Sequence, residues 1–118
     1  MSAEVILHLT PAAYYHSLPA EAAYLPQDFE RDGFIHCTAE PEVLLEVANA
    51  FYRQVPGEML VLVIDPARVQ AQVRFEAAVH PRGPDDRLFP HIYGPLNRDA
   101  IVSVHPTQRA DDGAYLAV

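Results

Sequence analysis

The sequence predicts an α+β domain built on a mixed or antiparallel β-sheet. Two helix-type patterns, at residues 12–18 and 41–54, occur early in the 118-residue chain, and strand-type segments dominate its later part. A doubly wound parallel sheet would instead alternate strands and helices along the whole chain. The length suits one domain with its own core, and no linker, long repeat or low-complexity segment interrupts it. We therefore expect a single domain over residues 1–118.

The first elements follow from short apolar runs and from proline. A strand is predicted at residues 5–9, which are apolar and begin with two β-branched side chains. Thr10 suits the N-cap of the helix at 12–18, because Pro11 would occupy its first turn. Residues 19–33 are predicted to be mostly loop with one turn at most, and residues 34–38 to form the second strand.

The remaining elements are framed by turn residues. The helix at 41–54 has apolar side chains at helical spacing and is stopped by Pro56 and Gly57. Residues 59–64 form a continuous apolar run, which is typical of a buried central strand. The predicted elements after it are a strand at 73–79, a loop at 80–87, a strand at 100–105, a turn at 111–113 and a tail at 115–118.

Composition excludes several classes of function. The chain has a net charge of −8 and eight arginines but no lysine, which excludes a Schiff-base lysine and a phosphate-loop lysine. An acidic chain without a basic cluster is a poor partner for nucleic acid or for an anionic membrane. No run approaches the length of a membrane span and no signal peptide is evident, so we expect a soluble, cytoplasmic protein.

A histidine and a threonine occur two residues apart at the end of each of the first two predicted strands. These pairs are His8 with Thr10 and His36 with Thr38, and a proline follows each pair closely. Alternate residues of a strand share a face, so each pair lies on one side of its strand. Two matched polar pairs at strand ends predict one shared cleft, although Thr10 is equally suited to capping a helix.

Strand alternation also assigns the single cysteine. Cys37 points away from His36, which favours a small core residue over a thiolate nucleophile. His8 interrupts an apolar strand, and a buried imidazole needs hydrogen-bond partners. One cysteine cannot form an internal disulfide or a multi-thiolate zinc site.

A third string, residues 87–96, carries the densest aromatic and histidine content of the chain. It includes His91 and Tyr93 and is interpreted either as a hydrophobic plug or as a ligand-facing segment. Glu76 is predicted to face Arg74, and an exposed ion pair explains it more simply than a catalytic carboxylate does. The other histidines, at positions 16, 80 and 105, fit surface positions.

Three strings resemble the signature of the domain-of-unknown-function family 952. They are G-F-I-H-C-T at 33–38, V-I-D-P at 63–66 and L-F-P-H-I-Y-G-P-L at 88–96. The similarity extends over nearly the whole chain, from residue 6 to about residue 105. This resemblance implies a family but no activity.

The order of these strings also resembles the RNA 2′-phosphotransferases of the ADP-ribosyltransferase superfamily. This second resemblance implies a split, strongly curved pair of sheets that holds NAD in a cleft. It implies contacts to the ribose and nicotinamide from His8, Thr10, His36, Thr38 and Tyr93. The catalytic candidates that it suggests are His36, His91 and Tyr93. No residue matches the usual catalytic glutamate or the phosphate-gripping arginines of that superfamily.

Three functions follow as hypotheses. The first is an NAD-binding, ADP-ribosyltransferase-like domain that transfers ADP-ribose or cleaves nicotinamide from NAD. The second is a small-molecule or nucleotide-binding domain without chemistry. The third is a metal hydrolase with His8, His36 and His91 as ligands, which the spacing does not require.

Overall fold

The computed structural model describes residues 5–77 and 88–118. The predicted loop at 80–87 and the end of the strand predicted at 73–79 lie outside these residues. The helices are α1 (Ala12–Ser17), α2 (Phe29–Asp32) and α3 (Pro41–Phe51). The strands are β1 (Ile6–Pro11), β2 (Ile35–His36), β3 (Met59–Ile64), β4 (Gln72–Ala77), β5 (Leu88–Tyr93), β6 (Ile101–Pro106), β7 (Gln108–Arg109) and β8 (Tyr115–Ala117).

The strands form two separate three-stranded antiparallel sheets and one hairpin. The first sheet has the order β1-β3-β6 and the second has the order β2-β5-β4, while β7 pairs with β8. The predicted α+β class with antiparallel pairing is confirmed. The two sheets meet where Leu7 and Thr38 exchange backbone hydrogen bonds of 2.7 and 2.8 Å. This bridge fixes the second sheet against the end of the first.

Alternation along β1 and β3 gives the first sheet two buried faces. One face carries Ile6, Leu62 and Ile64 and packs with Ile35 and Ile92 of the second sheet. The other face packs under helix α3, through these side chains: Leu7, Leu9, Met59, Val61, Leu44 and Ala48. Because both faces are covered, β3 is apolar throughout, as its sequence predicted.

The hairpin β7–β8 is held to the end of α3 by Arg109. The Arg109 guanidinium donates to the carbonyl oxygens of Arg53, Val55 and Gly57 at 2.7 to 3.0 Å. It also lies over the ring of Tyr115 at 4.4 Å. These carbonyls belong to the segment that follows α3, so the guanidinium ties this segment to the hairpin.

The interpretation of Thr10 as a helix cap is wrong. Strand β1 continues to Pro11, which pairs with Met59, and Pro11 itself precedes α1 without any side-chain capping bond. The Thr10 hydroxyl is instead buried beside Tyr24. The second strand is shorter than predicted, and the loop before it contains α2, which ends at Gly33 with φ of 82°. Within the described part of the chain, no helix is long and apolar enough to cross a membrane.

Candidate functional site

A cleft of about 350 Å³ lies between helix α3 and the second sheet. Its polar rim comes from the segment around α2, and its apolar wall comes largely from α3. The described residues that line it are Leu9, Asp28, Arg31, Asp32, His36, Cys37, Thr38, Leu44, Val47, Phe51, Tyr52, Phe89 and His91. Its volume and its mixture of apolar walls with a few polar groups fit a small-molecule site.

Strand alternation and register place a polar aromatic cluster on the sheet face beside this cleft. His36 of β2 pairs with His91 of β5, so the two imidazoles share one face. Tyr93 lies two residues further along β5 on the same face. Glu76 of β4 pairs with Phe89 and is the diagonal neighbour of His91. We call Phe34, His36, Glu76, His91 and Tyr93 the cleft-side cluster.

The rings of the cleft-side cluster lie in direct contact. The Phe34 ring stacks on His91 with centroids 4.1 Å apart and planes 22° apart. It also contacts the rings of His36 and Tyr93, at 4.6 and 5.2 Å. The two imidazoles meet edge to face at 5.6 Å. This packing fixes the orientation of both imidazoles, because each ring has aromatic contacts on more than one side.

Glu76 is the acceptor at the centre of the cluster. Its Oε1 accepts hydrogen bonds from Tyr93 Oη at 2.5 Å and from His91 Nδ1 at 2.8 Å. These two bonds, with that from Tyr93 the larger influence, lower the pKa of Glu76. The same bond raises the pKa of Tyr93, because it stabilises the protonated hydroxyl. The geometry therefore holds an ionised carboxylate against one edge of the His91 ring.

His36 has a carboxylate partner of its own. Its Nε2 lies 3.0 Å from Asp32 Oδ2, and Asp32 also accepts from Arg31. Partial burial lowers the pKa of His36 by more than the bond to Asp32 raises it. Partial burial raises the pKa of Asp32, but the bonds from Arg31 and His36 outweigh this and lower it. At neutral pH, Asp32 is thus ionised and His36 is neutral, with its proton on Nε2.

His8 and Thr10 belong to a different, buried group. The Tyr24 hydroxyl lies 2.8 Å from His8 Nε2 and 2.9 Å from Thr10 Oγ1. His8 Nδ1 lies 2.7 Å from the carbonyl oxygen of His36, which can only accept, so Nδ1 carries the proton. Burial lowers the pKa of His8 to about 4, so Nε2 is unprotonated at neutral pH and accepts from Tyr24. The Thr10 hydroxyl then donates to the Tyr24 oxygen, and every polar atom of this buried triad is satisfied.

The two histidine–threonine pairs therefore occupy different environments. His36 and Thr38 line the cleft together with His91, and Tyr93 lies beside them in the cleft-side cluster. His8 touches the backbone of His36, but Tyr24 covers its far side, and neither His8 nor Thr10 lines the cleft. The third string contributes to the site as well as to the core, because His91 faces the cleft while Ile92 is buried between the sheets.

Cys37 is buried in the core that the two sheets share. Burial raises the pKa of its thiol, which leaves little thiolate at neutral pH.

The sequence did not predict that Asp32, Phe34 and Glu76 belong to the candidate site. Glu76 was expected to pair with Arg74, but it accepts from His91 and Tyr93, while Arg74 lies over the Tyr93 ring at 4.9 Å. Phe34 could have been found from its place on the same strand face as His36. Asp32 precedes His36 by four residues across a turn, a spacing that in sequence alone specifies no contact.

The three-histidine metal site does not form. Both ring nitrogens of His8 already bond to His36 and Tyr24, so His8 offers no lone pair to a metal ion. Across residues 5–77 and 88–118, no group of three or more histidine, cysteine, aspartate or glutamate side chains is arranged to hold a metal.

Comparison with known proteins identifies a family and similar structures for this chain but no activity. A family model described as "Protein of unknown function (DUF952)" matches residues 9–104. The crystal structure of protein CC0527 from Caulobacter crescentus is similar, with a TM-score of 0.76 and 23% identity over 94% of this chain and 92% of that one. Its solution NMR structure gives a TM-score of 0.74 and 20% identity over 96% and 92% of the two chains. No curated protein matches this chain.

Proposed function

The chain belongs to the DUF952 family, and we propose that it is an NAD-binding, ADP-ribosyltransferase-like domain whose ligand occupies the cleft beneath α3. The observation that carries the proposal is the pairing of Glu76 with His91 at the edge of that cleft. A carboxylate that orients an imidazole and stabilises its protonated form is the arrangement of a general base. NAD is proposed as the ligand because of the resemblance described above, which links two small sheets and paired strand-end polar residues to NAD binding.

The second ring nitrogen of His91 supports its role as the base. His91 is only 3% exposed, and within the described residues its one hydrogen bond is from Nδ1 to Glu76. The other ring nitrogen, Nε2, has no hydrogen-bond partner among the described residues. The cleft is the opening that His91 lines. Nε2 is therefore the ring nitrogen proposed to take a proton from a group bound there.

The other members of the site suit binding and orientation. Phe34 and Tyr93 supply aromatic rings next to both imidazoles, which a flat heteroaromatic ligand can approach. His36 and Thr38 line the cleft and offer polar contacts to a ribose or a carboxamide. His8 and Thr10 act from behind, because their buried triad with Tyr24 supports the strand that carries His36.

The proposed reaction exchanges one glycosidic bond for another. The bond between C1′ of the ribose and the pyridinium nitrogen breaks, its electron pair goes to that nitrogen, and neutral nicotinamide leaves. The ribosyl cation then bonds to an oxygen of water or of another acceptor, and His91 takes the proton that this oxygen loses. Glu76 lies against His91 and stabilises the imidazolium that forms, as an anion fixed in place before the reaction.

The proposal is tested by binding and by turnover. We expect calorimetry to detect NAD binding at millimolar concentration or below, and chromatography to detect nicotinamide release. Glu76→Gln should lower kcat by about 100-fold with little change in KM, because general acid–base catalysis contributes ~10²–10⁴-fold. Glu76 acts through His91, so the substitution should also shift the pH profile of kcat. The matched control is Glu42→Gln, which removes an exposed carboxylate on α3 away from the cluster.

Three results would decide against the proposal. Absence of NAD binding at millimolar concentration would remove the nucleotide from this site. Binding without nicotinamide release would instead favour the second hypothesis, a binding domain without chemistry. Equal activity of Glu76→Gln and Glu42→Gln would contradict the role given to the Glu76–His91 pair.

A further inference from the structure

Among the described residues, the polar rim of the cleft carries an excess of negative charge. Asp28 and Asp32 both bond to Arg31, at 3.2 and 3.1 Å, so two carboxylates share one guanidinium and one negative charge remains. Arg31 is 72% exposed and points its charge at these partners. The whole chain has a net charge of −8, which adds to the negative potential around the cleft.

The imidazoles add acceptors to this rim. His36 donates its Nε2 proton to Asp32, so in the neutral ring the Nδ1 atom is left with a lone pair. His91 donates its Nδ1 proton to Glu76, which leaves Nε2 as the ring nitrogen without a partner among the described residues. Carboxylates and neutral imidazoles presented in this way accept hydrogen bonds and attract cations. An anionic group placed against this rim would meet repulsion and few donors, so the pyrophosphate of NAD would have to lie away from Asp28 and Asp32.

The wall of the cleft is aromatic. Phe51 and Tyr52 come from the end of α3 and Phe89 comes from β5, and all three line the cleft. Aromatic faces attract cations through the ring quadrupole, and the attraction grows when water is excluded. Phe51 is half exposed although it is a large apolar residue, so its ring is available to a ligand.

We propose that the cleft under α3 is a cation-selective site, which binds a flat organic cation between the aromatic wall and Asp32. Two chemical sources carry such a group, the pyridinium of a nicotinamide nucleotide and the guanidinium of an arginine side chain. This inference rests on the proposed function only because that function makes these two sources relevant. The selectivity itself rests on the acceptor groups, the excess carboxylate and the aromatic wall.

The test compares ligands that are alike in shape and differ in charge. Calorimetry at pH 8, where an ordinary histidine is neutral, measures 1-methylnicotinamide, nicotinamide and nicotinate as cation, neutral compound and anion. We expect the cation to bind about 10-fold more tightly than nicotinamide, which corresponds to ~1.4 kcal/mol, and nicotinate to bind most weakly. Added salt should reduce the difference, because the rim is partly exposed. Methylguanidinium identifies the second source if it binds as tightly as 1-methylnicotinamide.

Two variants should change the affinity in opposite directions. Asp32→Asn can still accept from His36 but loses its charge, so binding of the cation should weaken about 5-fold while that of nicotinamide hardly changes. Arg31→Gln removes the opposing charge and should strengthen binding of the cation. The matched control is Asp112→Asn. Asp112 pairs with Arg53 at 3.1 Å, and neither residue lines the cleft.

The failures of this inference and of the proposed function are distinguishable. Equal affinity for the three charge forms, or tightest binding of nicotinate, overturns the cation site whatever NAD does. An Asp32→Asn effect no larger than that of Asp112→Asn overturns it as well. Binding of 1-methylnicotinamide without cleavage of NAD upholds the cation site and overturns the transfer reaction. Cleavage of NAD without preference for cations upholds the transfer reaction and overturns the cation site.

Discussion

Two groups of polar side chains lie on opposite sides of the β2 backbone and use similar residues differently. The buried triad of His8, Thr10 and Tyr24 is closed, because each polar atom has a partner inside the protein. The cleft-side cluster is open, because His36 and His91 each have one ring nitrogen paired with a carboxylate and the other without a partner among the described residues. A histidine in a strand is therefore closed off or open to the cleft according to what covers its second nitrogen.

The difference has an electrostatic consequence. The partners of His8 are a carbonyl and a hydroxyl, which do not offset the cost of burying an imidazolium, and burial lowers its pKa to about 4. The partners of His36 and His91 are carboxylates, which stabilise a positive charge on the ring. The two groups thus differ in the charge that surrounds the imidazole, which is anionic in the cleft-side cluster and neutral in the buried triad.

The two groups should differ most in the free energy of unfolding that is lost when one aromatic ring in each group is truncated. Tyr24→Ala should lower the free energy of unfolding by about 4 kcal/mol, because Tyr24 is fully buried and its loss leaves a cavity and unpaired groups. Phe34→Ala should cost only about 1 kcal/mol, because the Phe34 ring is partly exposed. Urea denaturation of both variants measures the difference. Similar losses would mean that the cleft-side cluster is as much a part of the core as the triad.

Acid should destabilise the protein through His8. The unfolded chain binds a proton at this histidine below about pH 6.5, whereas the folded chain does so only near pH 4. Stability from this residue is therefore complete above pH 6.5 and falls as the pH drops towards 4, by roughly 3 kcal/mol at ~1.36 kcal/mol per pH unit. Urea denaturation at pH 7 and pH 4.5 measures the loss.

The control for this prediction is His8→Asn, which can still donate to the His36 carbonyl but does not titrate. The variant starts from a lower stability and should lose less of it between the two pH values than the wild type. The comparison isolates His8 because the lowered pKa values of His36, Asp32 and Glu76 act in both proteins. Equal losses in the two proteins would show that His8 is not held neutral by the fold.

Local patterns predicted the frame of the fold and part of the candidate site. Strand β3 was predicted with its observed bounds, because an unbroken apolar run between Gly57 and Pro66 has few alternatives. Strand alternation predicted that His36 faces the cleft and that Cys37 is a buried core residue. These features depend on neighbours in sequence, which a single chain displays directly.

Long-range pairings account for what the sequence did not reveal. Tyr24 lies in an apparent loop, and its burial depends on a backbone bridge with Leu96, far along the chain. Glu76 reaches His91 only because of the register between β4 and β5. Without these two pairings, His8 looked available to a ligand and Glu76 looked like a surface residue, so the open and closed groups could not be told apart.

The finest test of the comparison removes one hydroxyl from each group. Tyr24→Phe leaves His8 Nε2 and Thr10 Oγ1 without their shared partner in a dry environment, and we expect a loss of about 2 kcal/mol in unfolding free energy. Tyr93→Phe also removes a hydrogen bond, but water can replace it at Glu76, so its unfolding midpoint should stay close to that of the wild type. Any effect of Tyr93→Phe should instead appear in the pH profile of turnover, because Glu76 loses the donor that most lowers its pKa. A large stability loss in Tyr93→Phe, or none in Tyr24→Phe, would contradict the assignment of one group as closed and the other as open.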